Sequence, residues 1–147
     1  MRVTVAGPAK EWTEVVRNGL SRSLGARVVT CMGDVTEVMG SSGNDVVVIH
    51  YALLSRLSHR DVRRLVRGVG EAFIVADAPH DPSVLCCLIE DGVSAFTLEG
   101  EDDRRLVQVT ELALDGVMLM SATTLEQLRR FNEGPASECS SLDILGP

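Results

Sequence analysis

DVVVIH, running from Asp45 to His50, is a short run of β-branched apolar residues with no polar alternation. A strand of that composition is expected where helices cover both faces of a parallel sheet. Comparable runs lie on either side: RVTVA from Arg2 to Ala6, RVVTC from Arg27 to Cys31, AFIVA from Ala72 to Ala76 and AFTL from Ala95 to Leu98. The segments between them have helical spacing. Trp12, Val15, Val16 and Leu20 share one face of a first helix, and Val62, Leu65, Val66 and Val69 share one face of a third. The second crossover, Asp34 to Ser42, is short and weakly patterned. Gly25 and Gly92 fit helix C-terminal glycines, and Pro82 suits the first turn of a fourth helix.

A fifth helix is expected from Asp102 to Asp115, with Leu106, Val109, Leu112 and Ala113 facing inward. Val107 and Leu114 fall off that stripe, and Leu85 and Ile89 lie off the Val84, Cys87 and Leu88 face of the fourth helix. Leu85, Ile89, Val107 and Leu114 are therefore a candidate exposed patch for dimerisation, although packing beneath loops would serve equally. Five strands separated by crossovers imply right-handed βαβ units in a doubly wound, flavodoxin-like α/β sheet of order 2-1-3-4-5. Ligands of such sheets bind beyond the carboxyl ends of the strands, so the residues that end each strand matter most.

Composition narrows the function classes. The 147 residues suit one compact domain, and 45% apolar content can supply its core. A net charge of −7 argues against a nucleic-acid surface here, because phosphate contacts need a local excess of Lys and Arg. No apolar run reaches the roughly 18 to 20 residues that cross a bilayer, and Met1-Arg2 opens no signal peptide, so a cytoplasmic location with no membrane partner is expected. Cys31, Cys86, Cys87 and Cys139 lack C-x-x-C spacing and read as reduced thiols. Lys10 is the single lysine; the arginine bias hints weakly at GC-rich, actinobacterial coding. No nucleophile elbow or P-loop is visible, which argues against an enzyme and requires no cofactor. The Arg60, Arg63, Arg64 and Arg67 series makes a basic helical face, most simply solvated surface.

The order of elements, with DVVVIH, EDGVSAFTLEGEDDRRL and GVMLMSATTLEQLRRF, resembles the receiver domain of LuxR/NarL-type response regulators over about residues 1 to 131. The resemblance implies a CheY-like fold and a phosphorylation pocket, and this chain departs from it at every key position. The two metal-binding acids after the first strand correspond to Gly7 and Pro8, neither able to ligate Mg²⁺. The phosphoacceptor position holds His50, the hydroxyl position Asp77 and the lysine position Glu99. Gly7, Pro8, His50, Asp77 and Glu99 thus form a degenerate pocket in which an aspartyl phosphate cannot form. A hydrogen bond from His50 to Asp77 or Glu99 could stand in for the missing ionic cluster. Zinc on those three residues is disfavoured, since they lack ligand spacing, and no metal is expected. The first helix is expected to start late, leaving a long loop from Gly7 to Glu11.

The resemblance further implies a receiver-like domain over residues 1 to 119. Residues 120 to 147 then form a linker helix and a connector toward an absent helix-turn-helix domain that would contact DNA. The expected role is the regulatory domain of an atypical response regulator, working as a homodimer or through a small-molecule ligand, without phosphorylation. The competing reading is a stand-alone interaction or sensing module with the same fold.

Overall fold

A computed structural model describes residues 1–25, 27–32 and 43–116, with only the backbone of residues 27 and 29–32. The described chain alternates strands and helices: β1 (Arg2–Gly7), α1 (Lys10–Leu24), β2 (Arg27–Met32), β3 (Val46–His50), α2 (Tyr51–Leu54), α3 (His59–Arg67), β4 (Ala72–Ala78), α4 (Pro82–Glu90), β5 (Ala95–Leu98) and α5 (Asp103–Leu114). The strands form one parallel sheet in the order β2-β1-β3-β4-β5. The second crossover, the linker helix and the connector expected over residues 120–147 lie outside the described residues. Among the described residues, no helix is long and apolar enough to cross a membrane.

Two apolar cores explain why β3 shows no alternation. Val47 and Ile49 join Phe73, Val75, Phe96, Leu53, Val62, Leu65, Leu85 and Leu88 on one face. Val46 and Val48 join Val3, Val5, Ile74, Val16, Leu20, Leu106 and Val109 on the other. The first core is closed by α2, α3 and α4, the second by α1 and α5. Each fully buried Val, Leu, Ile or Phe contributes about 1.5–3 kcal/mol, so burial of both faces selects these residues at successive positions. Gly25, at φ 59°, ends α1 with its N–H donating to the Ser21 carbonyl. Pro82 opens α4 behind Asp81, whose carboxylate accepts from the Ser83 N–H.

Several expectations need correction. Helix α1 begins at Lys10, so the loop after β1 is short, and Thr13 is buried where Val15 is 52% exposed. Thr13 tolerates burial because its hydroxyl donates to the Ala9 carbonyl at 2.6 Å. Leu85 is fully buried, which removes it from any surface patch. The apolar run from Val84 to Ile89 leaves the inward face undetermined by periodicity, and α4 buries Leu85, Cys86, Cys87 and Leu88 together. Val107 packs over Gly19 of α1, where an added Cβ would stand 2.9 Å from Val107 Cγ2. Val107 and Leu114 belong to the second core and Leu85 to the first, on opposite faces of the sheet; of the four residues only Ile89 is exposed. Cys87 is disulfide-bonded, against the reading of all four cysteines as reduced thiols.

Candidate functional site

The carboxyl ends of β1, β3, β4 and β5 bring Gly7, Pro8, His50, Asp77 and Glu99 to one end of the sheet. His50 ends β3, and its imidazole is used at both nitrogens. Nδ1 accepts the Ala52 N–H at 3.0 Å, which makes His50 the N-cap of α2. With a backbone donor on Nδ1, the ring proton sits on Nε2, and Nε2–H donates to Asp77 Oδ2 at 3.1 Å. One side chain therefore starts a helical turn and ties β3 to β4. Of the two acids offered as partners for His50, Asp77 is the one engaged. Glu99 is exposed, and its carbonyl accepts from His80 Nε2 at 2.9 Å.

Asp77 occupies the left-handed region at φ 56°, the one non-glycine described residue to do so. Aspartate tolerates that region better than most residues because its short side chain bonds locally. Its N–H donates to Thr97 Oγ1 at 3.2 Å, across the register shift between Val75 and Ala78. The bulge lets β4 run two residues beyond the expected Ala76 and aims the Asp77 carboxylate at His50. Asp103, at the start of α5, has its carboxyl pushed up by burial and then by the charges of Asp77 and Asp102. This end of the sheet thus carries negative charge where the resemblance implies a lysine.

Beside Gly7 the space is filled. The indole of Trp12 lies against it so closely that a Cβ on Gly7 would stand 2.4 and 2.6 Å from two indole carbons. The same ring meets His50 edge to face, with centroids 5.0 Å apart and planes at 84°. The sequence placed Trp12 only on a helix face. Its place over Gly7 follows from the early start of α1, for which no capping side chain gave a signal: the N-cap is Ala9. Pro8 is exposed at the rim.

A second polar cluster, not anticipated from sequence, joins α3 to the end of α4. The Asp91 side chain is only 2% exposed and accepts from His59 Nδ1 at 2.7 Å and from Arg63 Nε at 2.9 Å. Arg63 therefore does more than solvate the basic face of α3. The signal was available: an acid directly before the helix-ending Gly92 must be paired if it is buried.

A doubly wound parallel sheet with its polar cluster at the carboxyl ends of β3, β4 and β5 is the fold of receiver domains. A two-component response regulator of the LuxR family from Aurantimonas sp. SI85-9A1 matches it with a TM-score of 0.72 and 21% identity, over 90% of this chain and 98% of that one. A LuxR family DNA-binding response regulator from Silicibacter pomeroyi matches with a TM-score of 0.65 and 15% identity, over 84% and 98%. RcsB from Salmonella enterica serovar Typhimurium, bound to a promoter in the presence of the phosphomimetic BeF3-, matches with a TM-score of 0.73 and 13% identity, over 99% and 76%. At these identities the likeness establishes the fold. No protein-family model and no curated protein matches the chain.

Proposed function

We propose that this chain is the regulatory domain of a transcription regulator of the LuxR response-regulator type, with a CheY-like winding, that acts as a dimer and without phosphorylation. Contact with DNA belongs to another part of the protein, a reading that the net charge of −7 supports. The observation that carries the reading is the state of His50. It stands where the resemblance implies the phosphoacceptor, with one ring nitrogen held by Ala52 N–H and the other by Asp77. Trp12 covers Gly7, so a metal-binding acid has no space at that position. Asp77, Asp102 and Asp103 would repel a phosphoryl group.

The test is the mass of the protein in solution, with and without Mg²⁺ and a small phosphodonor such as acetyl phosphate. A dimer that ignores both is expected. A dimer that appears only with the donor refutes the reading, as does acid-labile labelling of the wild-type chain. The space left by lost acids and lysine does not supply a ligand pocket beside Gly7, since the indole fills it.

A further inference from the structure

The crevice between α3 and α4 has the makings of a ligand site. It is open to solvent on one side, holds about 200 Å³ and is lined by Val62, Val84 and Leu88 and by Tyr51, Ser83 and His59, with Asp91 behind. A water molecule takes roughly 30 Å³, so the space holds about seven water-sized groups, the size of one substituted six-membered ring.

The polar chemistry is fixed from below. Asp91, buried and facing Arg63, is an acceptor, so His59 Nδ1 must donate to it. The buried carboxylate thereby sets both the tautomer and the orientation of the ring. When the ring carries one proton, Nε2 is an acceptor, and among the described residues it has no hydrogen-bond partner. Apolar walls with a few polar groups, here Tyr51, Ser83 and the oriented His59, are the usual composition of a small-molecule pocket.

We propose that the α3–α4 crevice binds a compact, mainly apolar molecule carrying one hydroxyl or N–H, which donates to Nε2 of His59. This goes beyond the regulatory reading and gives that reading an input. Binding itself does not depend on it, because affinity is measured independently of oligomeric state. A ligand here would touch α3 and α4 at once, and it would shift any equilibrium in which the two helices move apart.

Phenol and toluene serve as probes, titrated against the full chain and followed by methyl chemical shifts and calorimetry. Both are expected to perturb the methyls of Val62, Val84 and Leu88, and Val84→Phe, which fills the crevice, should abolish both effects. In His59→Leu the ratio of phenol to toluene affinity should fall about tenfold, the factor one net hydrogen bond supplies. The methyl shifts are read on the wild-type chain, so they decide the location even if a variant fails to fold. Shifts centred elsewhere, no binding of either probe at millimolar concentration, or full binding by a folded Val84→Phe overturns the site. An unchanged affinity ratio in folded His59→Leu overturns the role of Nε2. An unchanged dimer beside clear phenol binding would leave the site standing and refute only its link to assembly.

Discussion

Gly7→Ala isolates the packing of Trp12 over β1. The added Cβ would lie 2.4 Å from the nearer indole carbon, where ordinary contact begins near 3.4 Å, so the ring must withdraw by about 1 Å. Overpacking of this kind costs about 1–3 kcal/mol. Withdrawal also loosens the edge-to-face contact with His50, worth about 0.5–1.5 kcal/mol. Opposing both, alanine restricts the unfolded chain and returns about 0.4–1 kcal/mol, because Gly7 does not occupy the left-handed region. A net loss of about 1–2 kcal/mol is expected, taking the lower part of the range because Trp12 is half-buried and can yield. Urea unfolding gives the stability, and Trp12, the single tryptophan, reports its own displacement through its emission. In a Trp12→Ala background the loss should shrink by about 1 kcal/mol, leaving what the contact of the added Cβ with Thr13 Oγ1 at 3.0 Å still costs. Equal losses in both backgrounds would refute the argument, since the cost would then owe nothing to the indole.

Asp91→Ala removes the acceptor shared by His59 and Arg63. Unfolding should show a loss of about 2–3 kcal/mol, below the usual upper figure for a broken buried pair because Arg63 is partly exposed. Asp103 gives a pH dependence of defined sign. Its folded-state pKa is raised, so its ionisation weakens the fold as pH climbs from the ordinary aspartate range. Asp103→Asn should therefore be more stable than wild type near pH 7, with the difference closing toward about pH 4; a variant less stable at pH 7 contradicts this. The Cys86 thiol is buried, and burial followed by the Glu90 charge pushes its pKa up, the reverse of a redox-sensing thiol. Iodoacetamide should label Cys86 slowly in the native protein and rapidly in urea, as read by peptide mass.

The strands were legible because burial on both faces forces unbroken apolar runs, and such runs survive in the sequence without reference to neighbours. Val46 to Ile49 is the clearest instance: adjacent residues go to opposite cores, and no polar residue interrupts them. Helix faces were less legible. In α4 the stretch from Val84 to Ile89 is apolar all round, so spacing could not show that Leu85 points into the core. Val15 was assigned inward by spacing, yet Thr13 takes the interior because it can satisfy its own hydroxyl. At the site, the ends of the strands were placed closely enough to name Asp77, beside Glu99, as a candidate partner of His50. What joins them depends on features without a sequence period: a histidine acting as a cap, a left-handed aspartate and a helix that starts behind an alanine.

The left-handed backbone at Asp77 also limits which substitutions this chain can accept, and in what order. At φ 56° a residue branched at Cβ is strained, whereas Gly, Asn and Asp are tolerated. A threonine at position 77 would therefore need the bulge between Val75 and Ala78 to be removed first, which would shift how β4 pairs with β5. At the far side of the same end of the sheet, an acid at position 7 would need Trp12 replaced first. Each route passes through an intermediate that loses stability before it gains anything, so the exposed rim, at Pro8 and Glu99, can change more freely than positions 7 and 77.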